Sequence, residues 1–303
     1  MNRPCGEGWE ALRGDPIPRL LNDERPGVRA RVLTGIMGRP PNSPAVRRAR
    51  SGANAAEPVA GLLADLWPDG TGQGRVPRWH PAGEGWRLVE AVAWGADPTC
   101  PRLQAGWRLA LGGLRQDGGW RTSGSDGAPS TAFTARILEA CAPVLGWRSD
   151  LRIGEAAAWL EEVPSWDLPA VTGAAVLAAL RGADGRRPRL RDRAVAALVD
   201  ALEGGAISAR LGFPNRRRTD LAEVLCGLAL SGIPYDPVMH SGLRRLQRVQ
   251  KPGGPWGEGD ADPRSPELPV TAGALVALLR YAVEAGLPRM FPERPTTPRP
   301  AVS

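Results

Sequence analysis

Apolar residues recur at three- and four-residue intervals along this chain, in segments broken by proline and glycine. Period-two alternation is nearly absent, so strands are not expected. The pattern predicts helices over Ile17–Leu21, Val28–Met37, Pro58–Leu66, Trp86–Trp94, Pro101–Leu114 and Thr131–Leu145. Further helices are predicted over Leu151–Glu162, Pro169–Leu180, Leu190–Leu202, Asp220–Leu230, Pro237–Val249 and Pro269–Ala285. They alternate in character. Gly106–Leu114, Ile153–Glu162, Leu190–Asp200 and Ser241–Gln250 are amphipathic and charged. Ala132–Ala142, Val171–Leu180, Leu221–Leu230 and Val270–Leu279 are small and apolar nearly all round. A helix apolar on every side must be buried on every side, whereas an amphipathic one covers something with a single face. The alternation therefore predicts an inner and an outer layer of helices in an all-α fold.

The inner segments align as a repeat. Glu90-Ala91, Thr131-Ala132, Thr172-Gly173, Leu221-Ala222 and Thr271-Ala272 fall at equivalent places, 41, 41, 49 and 50 residues apart. Each unit is a helical hairpin that cannot bury its apolar face alone, so neighbours must stack, either as an open superhelix or as a closed ring. Two outer helices end alike. One runs Leu114-Arg115-Gln116-Asp117-Gly118-Gly119-Trp120, the other Leu246-Gln247-Arg248-Val249-Gln250-Lys251-Pro252-Gly253-Gly254-Pro255-Trp256. Glycine ends a helix by adopting positive φ. The glutamine amide is suited to the free carbonyls of its own helix end, and the tryptophan pins one hairpin to the next.

This glutamine–glycine–tryptophan pattern resembles the repeat of squalene–hopene and oxidosqualene cyclases, whose α/α toroid also occurs in the β subunits of protein prenyltransferases. The resemblance is clearest over residues 100–285. Leu20-Leu21-Asn22-Asp23 and Trp67-Pro68-Asp69-Gly70 are similar to the start of small single-toroid bacterial proteins of the squalene-cyclase-like kind. It implies an α/α toroid of about five to six hairpins. Residues 1–57 would close the ring within a domain of 1–287, and 288–303 would form a loose proline-rich tail. It further implies a terpene-cyclase-like protein that handles an isoprenoid or similar apolar lipid in a central cavity. The alternative is a non-catalytic toroid that binds a hydrophobic ligand or a protein partner.

Cyclases of this kind protonate an alkene or epoxide with a buried Asp of a D-x-D-D-T-A motif. Here Glu267-Leu268-Pro269-Val270-Thr271-Ala272 retains Thr271 and Ala272, with Glu267 at the first Asp and Pro269 at the proton donor. No complete acid motif is present. Gly212-Phe213-Pro214-Asn215-Arg216-Arg217-Arg218-Thr219 is similar to the diphosphate-binding stretch of prenyltransferases, with Arg216 in place and Thr219 for the lysine; this makes Arg216 and Arg218 anion-binding candidates. Ala222 and Val224 stand where that family has zinc ligands, so no metal and no cofactor is expected. The candidate acids or bases are Glu223, Asp220, Asp167 and Glu267. Asp220 and Asp167 also read as helix N-caps. Glu223 lies one turn into an apolar helix, where a carboxylate needs a partner or a raised pKa. Trp86, Phe133, Trp166 and Thr271 are the candidate cavity residues.

Composition adds exclusions. The 303 residues carry 39 Lys and Arg against 32 Asp and Glu, a net charge of +7. All but one of the basic residues are arginines, spread among acidic ones, which describes a solvated surface better than a nucleic-acid stripe. Nucleic acid is therefore not an expected partner. The cysteines, at 5, 100, 141 and 226, form no CxxC pair. No apolar run reaches the roughly 20 residues of a membrane span, no secretory h-region is visible, and no apolar channel loop argues for membrane contact. A cytoplasmic protein with reduced thiols is the expectation.

Overall fold

A computed structural model describes residues 11–40, 42–64, 66, 83–114, 118–121, 129–181, 183, 185, 187–207, 211, 219–251, 255–256 and 267–287, the last segment without the side chains of 267–270. The fold is all-α, and the described residues contain no strand. The helices are α1 (Ile17–Leu21), α2 (Pro26–Arg31), α3 (Pro44–Ser51), α4 (Val59–Ala64), α5 (Glu84–Ala93), α6 (Pro101–Leu111) and α7 (Thr131–Leu145). They continue as α8 (Leu151–Glu162), α9 (Pro169–Leu180), α10 (Pro188–Glu203), α11 (Leu221–Leu230), α12 (His240–Val249) and α13 (Glu267–Tyr281). Prolines begin α2, α3, α6, α9 and α10, where a missing N–H costs nothing. Side chains of Ser130, Asp150 and Asp220 cap α7, α8 and α11.

The two expected classes of helix are visible as two patterns of burial. In α7 every residue from Thr131 to Leu138 is buried, and in α9 the run from Val171 to Leu177 is buried. In α10 only Leu190, Ala194, Leu198 and Ala201 are buried, a single stripe. Successive inner helices touch in the order α5, α7, α9, α11, α13. α13 then touches α2 and the turn that follows it. α2 meets the end of α5 backbone to backbone, because a Cβ on Gly27 would lie 2.2 Å from the Trp94 carbonyl oxygen. Gly95 has φ +84°, and a Cβ there would lie 2.7 Å from the Gly27 Cα. The order of contacts thus returns to its start. Around it, α6, α8, α10 and α12 each bridge neighbouring inner helices or outer ones.

The sequence pattern predicts one helix over Val28–Met37. The structure instead has α2 followed by a π-helical turn, Val32–Ile36. Thr34 Oγ1 donates to the Ala30 carbonyl, occupying an acceptor of the regular ladder. α3 is absent from the predicted set because its surface face, Arg47, Arg48 and Arg50, reads as a charge cluster; Val46 and Ala49 are its buried face.

The two tryptophan junctions are built alike. The Trp120 indole donates to the Ala110 carbonyl (3.2 Å) and the Trp256 indole to that of Leu246 (2.6 Å). Each tryptophan N–H donates to a threonine of the next inner helix, Thr134 (3.0 Å) or Thr271 (2.9 Å). The helix-end carbonyl is therefore met by the indole. The described glutamines reach elsewhere: Gln247 donates to the Ala11 carbonyl (2.9 Å) and Gln250 to that of Gly14 (3.1 Å), while the Arg13 N–H donates to Gln250 Oε1 (2.6 Å). They tie α12 to the N-terminal segment. Gln116 lies outside the described residues. One buried cluster of apolar side chains extends from Ala11 to Leu287.

Candidate functional site

Small apolar side chains are expected to line the place where the inner helices face one another. The structure puts charge there. Arg136, on α7, is 2% exposed in the middle of the buried run. Its Nη1 donates to Glu139 Oε2, one turn on, at 2.7 Å. The same guanidinium clasps Glu223 of α11 with both arms, Nη1 to Oε1 and Nη2 to Oε2, the latter at 3.1 Å. Thr219 Oγ1 donates to Glu223 Oε2 at 2.7 Å. The Glu223 N–H donates to Asp220 Oδ1 at 2.9 Å, so Asp220 caps the helix that carries Glu223. This is the partner that a carboxylate at position 223 requires, supplied by α7. Burial works to lower the Arg136 guanidinium, but Glu223 and Glu139 more than offset it, and the group stays firmly charged.

Glu139 and three further groups, Arg31, Arg181 and Cys226, belong to this neighbourhood. Glu139 is raised above the ordinary carboxylate range, by burial and by the like charge of Glu223, against the pull of Arg136. Arg31, at the end of α2, is exposed to solvent, yet burial of its surroundings and the like charge of Arg181 bring it down to about 10. Arg181, just past the end of α9, is also exposed and donates from Nε to the Ala178 carbonyl. Burial raises the Cys226 thiol to about 11, with Arg181, Glu223, Arg31 and Asp220 all in electrostatic reach. Beside Arg31, a crevice of about 10 Å³, no more than a water-sized space, is lined by Val28, Ala93, Trp94 and Ala272.

The other expected residues are distributed as follows. Asp167 accepts from Ser130 Oγ, Thr131 Oγ1 and the N–H groups of Ala132 and Leu168. Burial works to raise its carboxyl, but these four donors prevail and hold it below the usual range. It clasps the start of α7 from the loop before α9, beside the aligned threonines Thr131 and Thr172, which are 3.3 Å apart. Trp86 and Phe133 pack on each other with ring centres 5.6 Å apart, both 4% exposed. Trp166 donates to the Leu160 carbonyl and lies under Arg193, 4.6 Å from the guanidinium carbon. Thr271 is buried and serves the Trp256 junction. Arg216, Arg218 and the side chain of Glu267 lie outside the described residues.

Arg31, Arg136, Glu139 and Arg181 are the site residues that the sequence reading overlooks. The available signal was Arg136 and Glu139 at i,i+3 inside a helix otherwise apolar all round. Among the described residues no three His, Cys, Asp or Glu side chains gather as metal ligands, and no helix is long and apolar enough to cross a membrane. No family model matches the chain, and no curated protein matches it.

Proposed function

We propose that the protein is a small ring of the squalene-cyclase and prenyltransferase type that binds an isoprenoid or similar lipid among its inner helices, without starting a proton-driven cyclisation. The cyclic order of inner-helix contacts supports the ring. The engagement of the carboxylates supports the absence of proton-driven chemistry. Glu223 is clasped by Arg136 and Thr219, while Asp220 and Asp167 accept from helix N-terminal amides. Asp167, held ionised by its donors, is not suited to deliver a proton to an alkene.

One observation favours a catalytic reading instead. Glu139 is the carboxyl among these that is raised above the ordinary range, so it is the one that gives up its proton least readily. Incubation with squalene and with farnesyl diphosphate, followed by lipid extraction and mass spectrometry, separates the two. The binding reading expects unchanged lipid co-eluting with the protein on gel filtration. A product lost in Glu139→Gln would establish the catalytic reading. Neither product nor co-elution would remove both.

A further inference from the structure

We infer that the outward face of α12 is a docking surface for an anionic lipid bilayer. The inference goes beyond the lipid-binding reading and does not depend on it, because a bilayer can hold the outside of the ring whether or not a ligand fills the inside. It begins from helix register. α12 buries Gly242, Leu243, Leu246 and Gln247 and exposes Ser241, Arg244, Arg245, Arg248 and Val249. The arginines follow at i, i+1 and i+4, so they share one face, and the helix has no acidic residue. The other outer helices differ. α8 exposes Glu155 and Glu162, and α10 exposes Asp192, Asp200 and Glu203 beside Arg189. α6 exposes two arginines, of which Arg102 donates to the Ala64 carbonyl (3.1 Å).

A fourth cation joins the face through the main chain. The Arg13 N–H donates to Gln250 Oε1 at 2.6 Å, one residue past the end of α12, and Arg13 is exposed. Gln247 and Gln250 hold the carbonyls of Ala11 and Gly14, so hydrogen bonds on both sides of Arg13 fix it at this helix end. Among the described residues, none of the four guanidiniums meets a carboxylate. The described carboxylates nearest in sequence, Asp15 and Asp236, accept from the N–H groups of Ile17 and Val238. Arg244 and Arg248 form a like-charged i,i+4 pair, a cost that a counter-charged surface relieves. The make-up of the face selects the partner. A protein interface is anchored by aromatic or large apolar side chains at its centre, and this face exposes none there. A single-stranded nucleic acid is held by stacking on aromatic rings, which the face also lacks. Val249, 43% exposed at the end of the row, gives nothing to a phosphate backbone but suits the boundary between head groups and acyl chains. A bilayer needs only clustered cations, each worth about a fivefold gain in partitioning.

Co-sedimentation of the full chain with vesicles tests the inference. Vesicles of equal parts phosphatidylcholine and phosphatidylserine should bind the protein, vesicles of phosphatidylcholine alone should not, and added salt should release it. Replacing Arg244, Arg245 and Arg248 together by Gln should weaken binding roughly a hundredfold. The three are exposed and glutamine keeps the helix propensity, so this variant folds. Replacing them by Lys should preserve binding, because a bilayer reads charge rather than fork geometry. A control with the same loss of charge elsewhere, Arg108→Gln, Arg148→Gln and Arg189→Gln together, should leave binding nearly unchanged. No binding to either vesicle, or equal binding to both, would overturn the proposal. An equal loss in the control would reduce the effect to net charge and overturn the face. Loss of binding in the lysine variant would overturn the bilayer as its partner. Duplex DNA or polyglutamate bound through these arginines, with no vesicle binding, would give the face to a macromolecule instead and overturn the lipid assignment.

Discussion

The contacts from α7 through α9 and α11 to α13 differ in kind from those by which α13, α2 and α5 meet. The first set is repetitive: apolar helices side by side, with Gly273 of α13 facing the Ala222 carbonyl of α11 and the aligned threonines Thr131 and Thr172 in contact. The second has two glycines in backbone contact, a π-helical turn and an arginine reaching across to the Val92 carbonyl. A repeat supplies its own partner surface at every step except where the last unit meets the first. There the surfaces differ in sequence, and local devices replace the periodic pattern.

Substitutions can break this contrast in order of expected effect. Gly27→Ala should be most severe, because its Cβ would sit 2.2 Å from the Trp94 oxygen and 3.0 Å from the Gly95 Cα; a loss of about 3 kcal/mol or more is expected in chemical denaturation. Gly227→Ala, in the repetitive part, meets nothing nearer than 4.0 Å, and helix propensity should make it neutral or stabilising by about 0.5–1 kcal/mol. Equal losses in the two would erase the distinction.

Arg136→Met should rank next. It strands Glu139 and Glu223, which are 31% and 21% exposed, and about 2–3 kcal/mol should be lost. Most of that should return when Glu223→Leu is added; an uncoupled double mutant would mean that the pair holds nothing together. Trp256→Phe and Trp120→Phe each remove one indole bond to a helix-end carbonyl and should cost about 1–2 kcal/mol alike. A clear inequality would show that the two junctions are not equivalent.

The smallest effect concerns pH. Asp167 is depressed in the folded chain, so its contribution is complete above the ordinary Asp pKa of about 3.9 and fades as the pH falls through the lower folded value. Asp167→Asn should melt lower than the parent at neutral pH, and the gap should narrow on acidification. A gap that is constant down to acid pH would mean that the cap acts without its charge.

Much of the architecture was legible in the apolar pattern. α1, α7, α8 and α9 have the ends that the pattern predicts, because proline or a capping residue marks each start and the apolar run is uninterrupted. The junction tryptophans were legible as joints, since glycine and tryptophan at a helix end have few other uses. The use of Gln247 and Gln250 was not, because their partners lie 236 residues away in sequence. The site was half legible. Glu223 demanded a partner, but nothing local says that it comes from α7, and Arg136 was hidden by the apolar company that makes its burial consequential. Arg31 and Arg181 look like ordinary surface arginines in the sequence, and both are exposed in the fold.

Native-state hydrogen exchange on Gly27→Ala tests ring closure most directly. If α2 joins the last inner helix to the first, the amides of Glu84–Ala93 and of Glu267–Tyr281 should lose protection together, although more than half of the chain separates them, while Pro169–Leu180 stays protected. Loss of protection confined to α2 and Glu84–Ala93, with Glu267–Tyr281 unchanged, would contradict the closed arrangement.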